Sequence, residues 1–366
     1  MKIEIIKERL QPVLLRMERV AGRHLSLPLL SCFFLSAKKG NVFLRATSLE
    51  LGVEYTLPAR VEGEGAIAVP AATFSSFVAN AGSARSISLE AHEGKLLVSS
   101  TAARARINTP PTDDFPTIPK AEGVHFLIKP DVFASGFKSV LYAGSVGSLK
   151  PELGSVFFAS GNDELVFAAT DSFRLAEKKL PVKNLPTISS VLVPIKNAAE
   201  LVRLLEDEGD EEVTVTVGKG QLSLGSSRMR IASRLLEGAF PDYRQIMPKE
   251  ITAEAVALKE DVLTALKATT LFSDRFNQVR LVMDPKKKLF ELSAKSGDLG
   301  ESQAAIPAAL SGSPIESNFN HRYLSDCLPA IPGDSISFGW SGEGRPLQIT
   351  GVGDRSFTYI VMPMNR

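Results

Sequence analysis

Apolar and polar positions alternate, then shift to helical spacing, in an order that recurs along the chain. Ile3 and Ile5 alternate with Lys2 and Glu4, the period of a half-buried strand. Residues 7–20 place Leu10, Leu14, Met17 and, just beyond, Ala21 at helical spacing, with Arg9, Arg16, Arg19 and Arg23 on another face. Pro12 fits that helix only in or near its first turn. Runs at 32–35, 42–46 and 51–57 predict strands, the first two joined through Lys38-Lys39-Gly40. A strand at 66–69 leads to Pro70, which opens a helix to Ala81 closed by Gly82. Residues 86–91 and 95–100 form a hairpin about Glu93-Gly94, and 103–108 a further strand. Pro110, Pro111, Pro116 and Pro119 mark a linker.

The same order then returns. A strand at 125–128 precedes a helix from Pro130 to Ala143, then strands at 156–159, 165–169 and 175–180. A strand at 190–193 precedes a helix from Pro194 to Asp207, with apolar Ile195, Ala198, Val202 and Leu205 opposite charged Lys196, Glu200, Arg203 and Asp207. Strands follow at 213–217, 221–225 and 228–235. The last third reads as a strand at 253–258, a helix at 259–271, and strands at 279–283, 288–294 and 301–306. Asn320 then caps a helix through Leu328, before strands at 335–340, 347–351 and 357–362. Three passages are alike: VFLRATSLELGVE at 42–54, LVFAATDSFRLA at 165–176 and LFELSAKSGDLGE at 289–301. Each is an apolar strand, a small polar turn and a second strand, at a spacing of roughly 120 residues. In the middle passage, Asp171 and Ser172 supply turn chemistry by bonding nearby backbone N–H groups. The expectation is an α+β chain with a threefold repeat, each third carrying a strand–helix–three-strand unit twice, with sheets outside and helices inside.

Composition narrows the function. At 366 residues the chain exceeds one ordinary core. Its 44% apolar and 23% charged content is that of a soluble globular protein. With 42 basic and 41 acidic side chains, any positive field must be local. Lys7-Glu8-Arg9 follows only a short apolar strand, so no export signal is read, and no apolar run approaches a membrane span. Cys32 and Cys327 lie in apolar surroundings far apart in sequence, which suits reduced cysteines in the cytosol. His24, His92, His125 and His321 show no metal-ligand spacing with them, and no metal or cofactor is implied.

No nucleophile–base set supports an enzyme. Gly218-Lys219-Gly220 lacks the residues that complete a phosphate loop and reads as a hairpin turn. Asp113-Asp114 and Glu211-Glu212 are paired carboxylates in a linker and a loop, where solvated charge explains them. A monomeric peptide-binding scaffold is a further class.

Thr170-Asp171-Ser172-Phe173-Arg174-Leu175-Ala176, Phe240-Pro241-Asp242-Tyr243-Arg244 and Tyr359-Ile360-Val361-Met362-Pro363-Met364 resemble the bacterial DNA polymerase III beta subunit family, the sliding clamps. Leu27-Pro28-Leu29-Leu30 and Asp114-Phe115-Pro116 match in place, so the resemblance covers the full length. It implies three clamp domains, at 1–120, 121–249 and 250–366, in a non-catalytic homodimeric ring of six similar domains around duplex DNA. Such a processivity factor would tether DNA polymerase III alpha, clamp-loader subunits, other polymerases and repair proteins through short peptide motifs. The cleft for those peptides would be lined by Leu153, Thr170, Ser172, Phe173, Arg174, Leu175, Pro241, Ile246, Ile360, Met362, Pro363 and Met364. Methionines suit varied partners. Without the other motifs, Ile360 and Met362 would read as residues completing a core strand. Phe173 stands where many members carry His, and Asn365 where some carry Arg.

Candidates for sequence-independent phosphate contact are Arg9, Arg16, Arg19, Arg23, His24, Lys138, Lys150, Lys196, Arg203 and Lys267. A Lys or Arg on a helix face is also compatible with a solvated charge and nothing more. His24 stands where the family has Arg, and Pro151-Glu152 where it has an aromatic pair. The ring joint would set Leu271 and Phe272 against the strand of Arg104, Ala105 and Ile107 in another copy.

Overall fold

The computed structural model describes the chain apart from residues 23–26, 113, 148–149, 207, 210 and 365–366. Six strand–helix–three-strand units follow one another. The first is β1 (Lys2–Ile6), α1 (Lys7–Met17), β2 (Cys32–Lys38), β3 (Asn41–Thr47) and β4 (Leu51–Pro58), with an added strand β5 (Arg60–Gly63). The second is β6 (Gly65–Pro70), α2 (Ala71–Ala79), β7 (Ser86–His92), β8 (Lys95–Ser99) and β9 (Arg104–Asn108). The third is β10 (Gly123–Ile128), α3 (Pro130–Lys138), β11 (Ser155–Gly161), β12 (Glu164–Thr170) and β13 (Arg174–Pro181). The fourth is β14 (Ile188–Pro194), α4 (Ile195–Leu205), β15 (Val213–Gly218), β16 (Gln221–Gly225) and β17 (Met229–Arg234). The fifth is β18 (Ala253–Leu258), α5 (Lys259–Thr270), β19 (Gln278–Asp284), β20 (Leu289–Ser296) and β21 (Gly300–Ala305), with an added β22 (Ala308–Gly312). The sixth is β23 (Ile315–Asn320), α6 (His321–Asp326), β24 (Ser335–Trp340), β25 (Leu347–Gly351) and β26 (Phe357–Val361).

The chain forms two compact units. One comprises 1–134 with 196–235, the other 135–195 with 236–366. These units follow fused sheets, not the threefold repeat. In the first unit the order β10-β15-β16-β17-β4-β3-β2-β6 makes one eight-stranded sheet, joined where Met229 faces Tyr55 and Ser233 faces Leu51. A second sheet of this unit runs β5-β1-β7-β8-β9. In the second unit β14-β11-β12-β13-β26-β25-β24-β18-β22 is one nine-stranded sheet, and β21-β20-β19-β23 a four-stranded one.

Local chemistry explains most elements. β1 buries Ile3 and Ile5 while Lys2 and Glu4 stay outside the core. α1 buries Leu10, Val13, Leu14 and Met17 and ends at Met17, before Ala21. Pro12 sits inside α1, beyond the first turn expected for it. It is exposed, as is Glu8, so the carbonyl that loses its N–H partner can bond water. Asn320 caps α6 by accepting the Arg322 N–H at 3.0 Å. Three strands are absent from the hydrophobic pattern. β5 and β22 are short outermost strands with hardly a buried side chain, and β23 buries only Ile315 and Phe319. None offers the two-residue alternation by which strands are read.

Gly136 of α3 faces the ring of Phe167, itself fully buried, and a methyl group there would collide with that ring. Gly136→Ala is expected to destabilise the second unit by about 1–3 kcal/mol despite Ala's better helix propensity. Urea denaturation checks this; an unchanged or raised midpoint would contradict the packing.

Candidate functional site

In the second unit the hairpin between β12 and β13 is closed by its own side chains. Thr170 Oγ1 donates to the Arg174 carbonyl at 2.6 Å and accepts the Ser172 N–H at 3.1 Å. Asp171 Oδ1 accepts the N–H groups of Phe173 and Arg174 at 2.9 and 3.0 Å. These bonds hold Ser172 at a φ of 77°, a left-handed conformation uncommon for a residue with a Cβ. The turn chemistry thus lies with Thr170 and Asp171, while Ser172 contributes backbone shape.

β13 pairs with β26, setting Arg174 opposite Val361 and Leu175 opposite Ile360. Beyond β26 the Met362 N–H donates to the Phe173 carbonyl at 2.8 Å, and the Met364 N–H donates to the Asn318 carbonyl at 2.8 Å. The carboxyl end is therefore strapped on both sides. Beside it lies a cleft of about 120 Å³ lined by Leu153, Thr170, Ser172, Arg174, Leu175, Pro241, Asp242, Tyr243, Ile246, Ile360 and Met362. A dry cavity of about 150 Å³ accepts a benzene ring, so this space suits one large apolar side chain. Its floor is the buried cluster of Ala168, Leu175, Tyr243 and Ile360, backed by Phe157, Phe240 and Met247. Ile246 on the rim is 46% exposed.

Nine of the twelve residues expected at a cleft meet here; Asp242 and Tyr243 join them. Phe173 points away, 61% exposed, and reaches the site only through its carbonyl. Pro363 and Met364 line a neighbouring hollow with Glu316 and Glu343. Tyr243 was within reach of sequence reasoning, because it sits inside the Phe240–Arg244 motif.

Arg174 anchors the turn. Its guanidinium bonds Asp171 at 2.9 Å and Asp326 of α6 at 2.6 Å, and its centre lies 4.4 Å from the Tyr323 ring centroid. Burial opposes its charge, but the Asp326 hydrogen bond and the Asp171 carboxylate outweigh that and push its pKa up. Burial also raises the phenol pKa of Tyr142 and Tyr359, and the thiol pKa of wholly buried Cys327. Tyr243 is pushed up by burial and by donating to Glu177 at 2.6 Å.

The expected DNA-facing side chains divide. Arg9, Arg19, Lys138, Lys150, Lys196 and Lys267 are exposed. Arg16 donates to buried Glu208 at 2.6 Å, and Glu208 also accepts from Tyr55 at 2.8 Å. Arg203 bonds Glu200 at 2.9 Å and the Arg16 carbonyl at 2.7 Å. Arg23, His24, Asp113, Asp207 and Asn365 lie outside the described residues. Arg104, Ala105 and Ile107 lie on β9, an edge strand of its sheet. Leu271 is 70% exposed at the end of α5, and the Phe272 ring lies against Gly300 of β21, another edge strand. Among the described residues no group of three His, Cys, Asp or Glu side chains is arranged to hold a metal, and no helix is long and apolar enough to cross a membrane.

Six repeated strand–helix–three-strand units, with a side-chain cleft beside the carboxyl end, define the class of the three-domain clamp fold. Models of the N-terminal, central and C-terminal domains of the DNA polymerase III beta subunit match residues 1–119, 127–242 and 244–365. The beta sliding clamp of Synechococcus elongatus is 29% identical over 344 residues, covering 92% of each chain, and that of Escherichia coli K12 is 27% identical over 371 residues, covering 100% of each. The crystal structure of the Pseudomonas aeruginosa DNA polymerase III subunit beta superposes with a TM-score of 0.94 at 25% identity, covering 100% of both chains. The chain belongs to the DNA polymerase III beta subunit family, the bacterial sliding clamps. It is a DNA sliding clamp, a non-catalytic processivity factor.

The tyrosines give a pH signature. Burial, the largest cause in each case, raises the pKa of Tyr55, Tyr142, Tyr243 and Tyr359. The folded state therefore keeps protons that the unfolded chain releases near pH ~10. Stability should not respond to these groups below that pH, and should fall above it by up to one proton's slope per buried tyrosine. Phenolate absorbance of folded protein is expected to rise at higher pH than that of denatured protein; coincident titrations would contradict the burial.

Proposed function

We propose that two copies, each of three clamp domains at 1–120, 121–249 and 250–366, close head to tail around duplex DNA in the bacterial cytoplasm. The ring holds DNA by encircling it, and partner proteins dock short peptides in the cleft. The observation that carries the peptide reading is the cleft itself: an apolar floor of Leu175, Ile360 and Tyr243, an exposed rim at Ile246, and a strapped carboxyl end with flexible Met362 at the mouth. Leu153, Thr170, Ser172, Arg174 and Pro241 shape its walls, with Phe173, Pro363 and Met364 beside it. An anchor residue of DNA polymerase III alpha, a clamp-loader subunit, another polymerase or a repair protein fills such a space, and backbone groups at the mouth orient it.

Ring closure is supported by two unpaired sheet edges. β9 presents Arg104 and Arg106, and β21 presents Glu301, which is held only by an exposed ion pair with Lys295 at 3.7 Å and so can be taken by an arginine across the joint. Leu271, Phe276 and Leu299 are 70%, 55% and 65% exposed, large apolar groups that a partner surface would cover. Arg9, Arg19, Lys138, Lys150, Lys196 and Lys267 remain the DNA-facing candidates with Arg23 and His24. Arg16 and Arg203 act mainly inside the fold, since carboxylates already hold them.

Topology tests the reading. Clamp loaded on nicked circular DNA is expected to stay bound until the circle is cut, then slide off. The Leu271→Ala, Phe272→Ala protein is expected to be monomeric by light scattering and not retained. Retention that ignores linearisation would contradict encirclement, and an unchanged dimer would reject the joint.

A further inference from the structure

Three arginines of the first unit, among them the DNA-facing candidate Arg9, line one hollow. It measures about 440 Å³ and is lined by Arg9, Arg60 and Arg85 together with Glu4, Ile6 and Ser86. Backbone pairing brings three chain segments together there. Arg60 of β5 lies opposite Glu4 of β1, and Ile6 of β1 lies opposite Ser86 of β7. The Lys7 N–H donates to the Arg85 carbonyl at 3.0 Å, which ties the start of α1, and so Arg9, to the entry of β7.

The charges in the hollow do not cancel. Three guanidiniums face one carboxylate, Glu4, and that carboxylate accepts the Ser86 hydroxyl at 2.6 Å. Arg60 lies 3.5 Å from Glu62 in a pair where both side chains are largely exposed, which screens to little. Arg9 and Arg85 have no carboxylate within ion-pair distance among the described residues. Guanidiniums in excess of the carboxylates beside them fit phosphate oxygens. The rest of the lining is Ile5, Ile6, Gly40, Pro58 and Ala59, with Ile6 the one large apolar side chain that is exposed.

We infer that Arg9, Arg60 and Arg85 form a phosphate-binding site that takes backbone phosphates of the DNA duplex. This rests on DNA being the clamp's partner, and it adds Arg60 and Arg85 to the residues that meet it. The site is sequence-independent, because it reaches phosphate and not base edges.

The test measures binding of the full-length protein to a short linear duplex across a salt series. Arg60→Gln with Arg85→Gln removes two phosphate contacts and is expected to lower the slope of log K against log salt by about 1.8. Arg60→Lys with Arg85→Lys keeps both charges and is expected to retain the slope with weaker binding, which separates charge from misfolding. A salt-linked wild type with an unchanged glutamine variant overturns this site while leaving DNA binding intact. A wild type with no salt-linked binding to the linear duplex overturns this site, while encirclement is judged separately by retention on the nicked circle. A polyglutamate peptide bound by wild type and lost in the glutamine variant, with the DNA slope unaltered, would overturn the DNA assignment.

Discussion

The second unit depends on one stretch of antiparallel pairing, in which Arg174–Lys178 of β13 lie against Phe357–Val361 of β26. Residues almost two hundred positions apart in sequence thereby share one sheet. Because side chains alternate along paired strands, Leu175 and Ile360 point the same way and become one floor. A one-residue slip would turn both away from the cleft. The cleft is thus a by-product of register: a sheet that must continue from the third unit of the repeat into the sixth leaves a small apolar notch at its end.

Arg174 secures that register from the side. It ties the 170–174 turn to α6 through Asp326 and lies over Tyr323. With 11% of its side chain exposed, removing either carboxylate would leave a largely desolvated cation, so the arrangement is held by the cost of breaking it more than by the gain of forming it. The first unit repeats this logic with other residues. Glu208, buried, gathers Arg16 and Tyr55 and binds Arg228 through its carbonyl. Basic side chains on these helices that have a carboxylate beside them, Arg16 and Arg203, are thus held within the fold.

How much of this was legible in the sequence follows from how local each signal is. The hairpin at 165–176 shows itself through an apolar run ended by Thr170 and Asp171, all within a dozen residues. Most helices do too, since proline or asparagine marks their starts. The strands β5, β22 and β23 do not, because outermost strands bury too few residues to set a period. The Arg203 pairing with Glu200 lies one helical turn away and could be read; the Arg16 pairing with Glu208 and the Arg174 pairing with Asp326 span 192 and 152 residues and leave no local trace. The cleft residues were legible only through family motifs, as periodicity alone makes Ile360 and Met362 ordinary strand residues.

Hydrogen–deuterium exchange with and without a short apolar peptide tests the link between register and docking most directly. Slowed exchange is expected at the amides of Phe173–Leu175 and of Ile360–Met362 together, because one occupied notch braces both strands of a single pairing. Protection confined to one of these strands, or appearing elsewhere in the chain, would contradict the account.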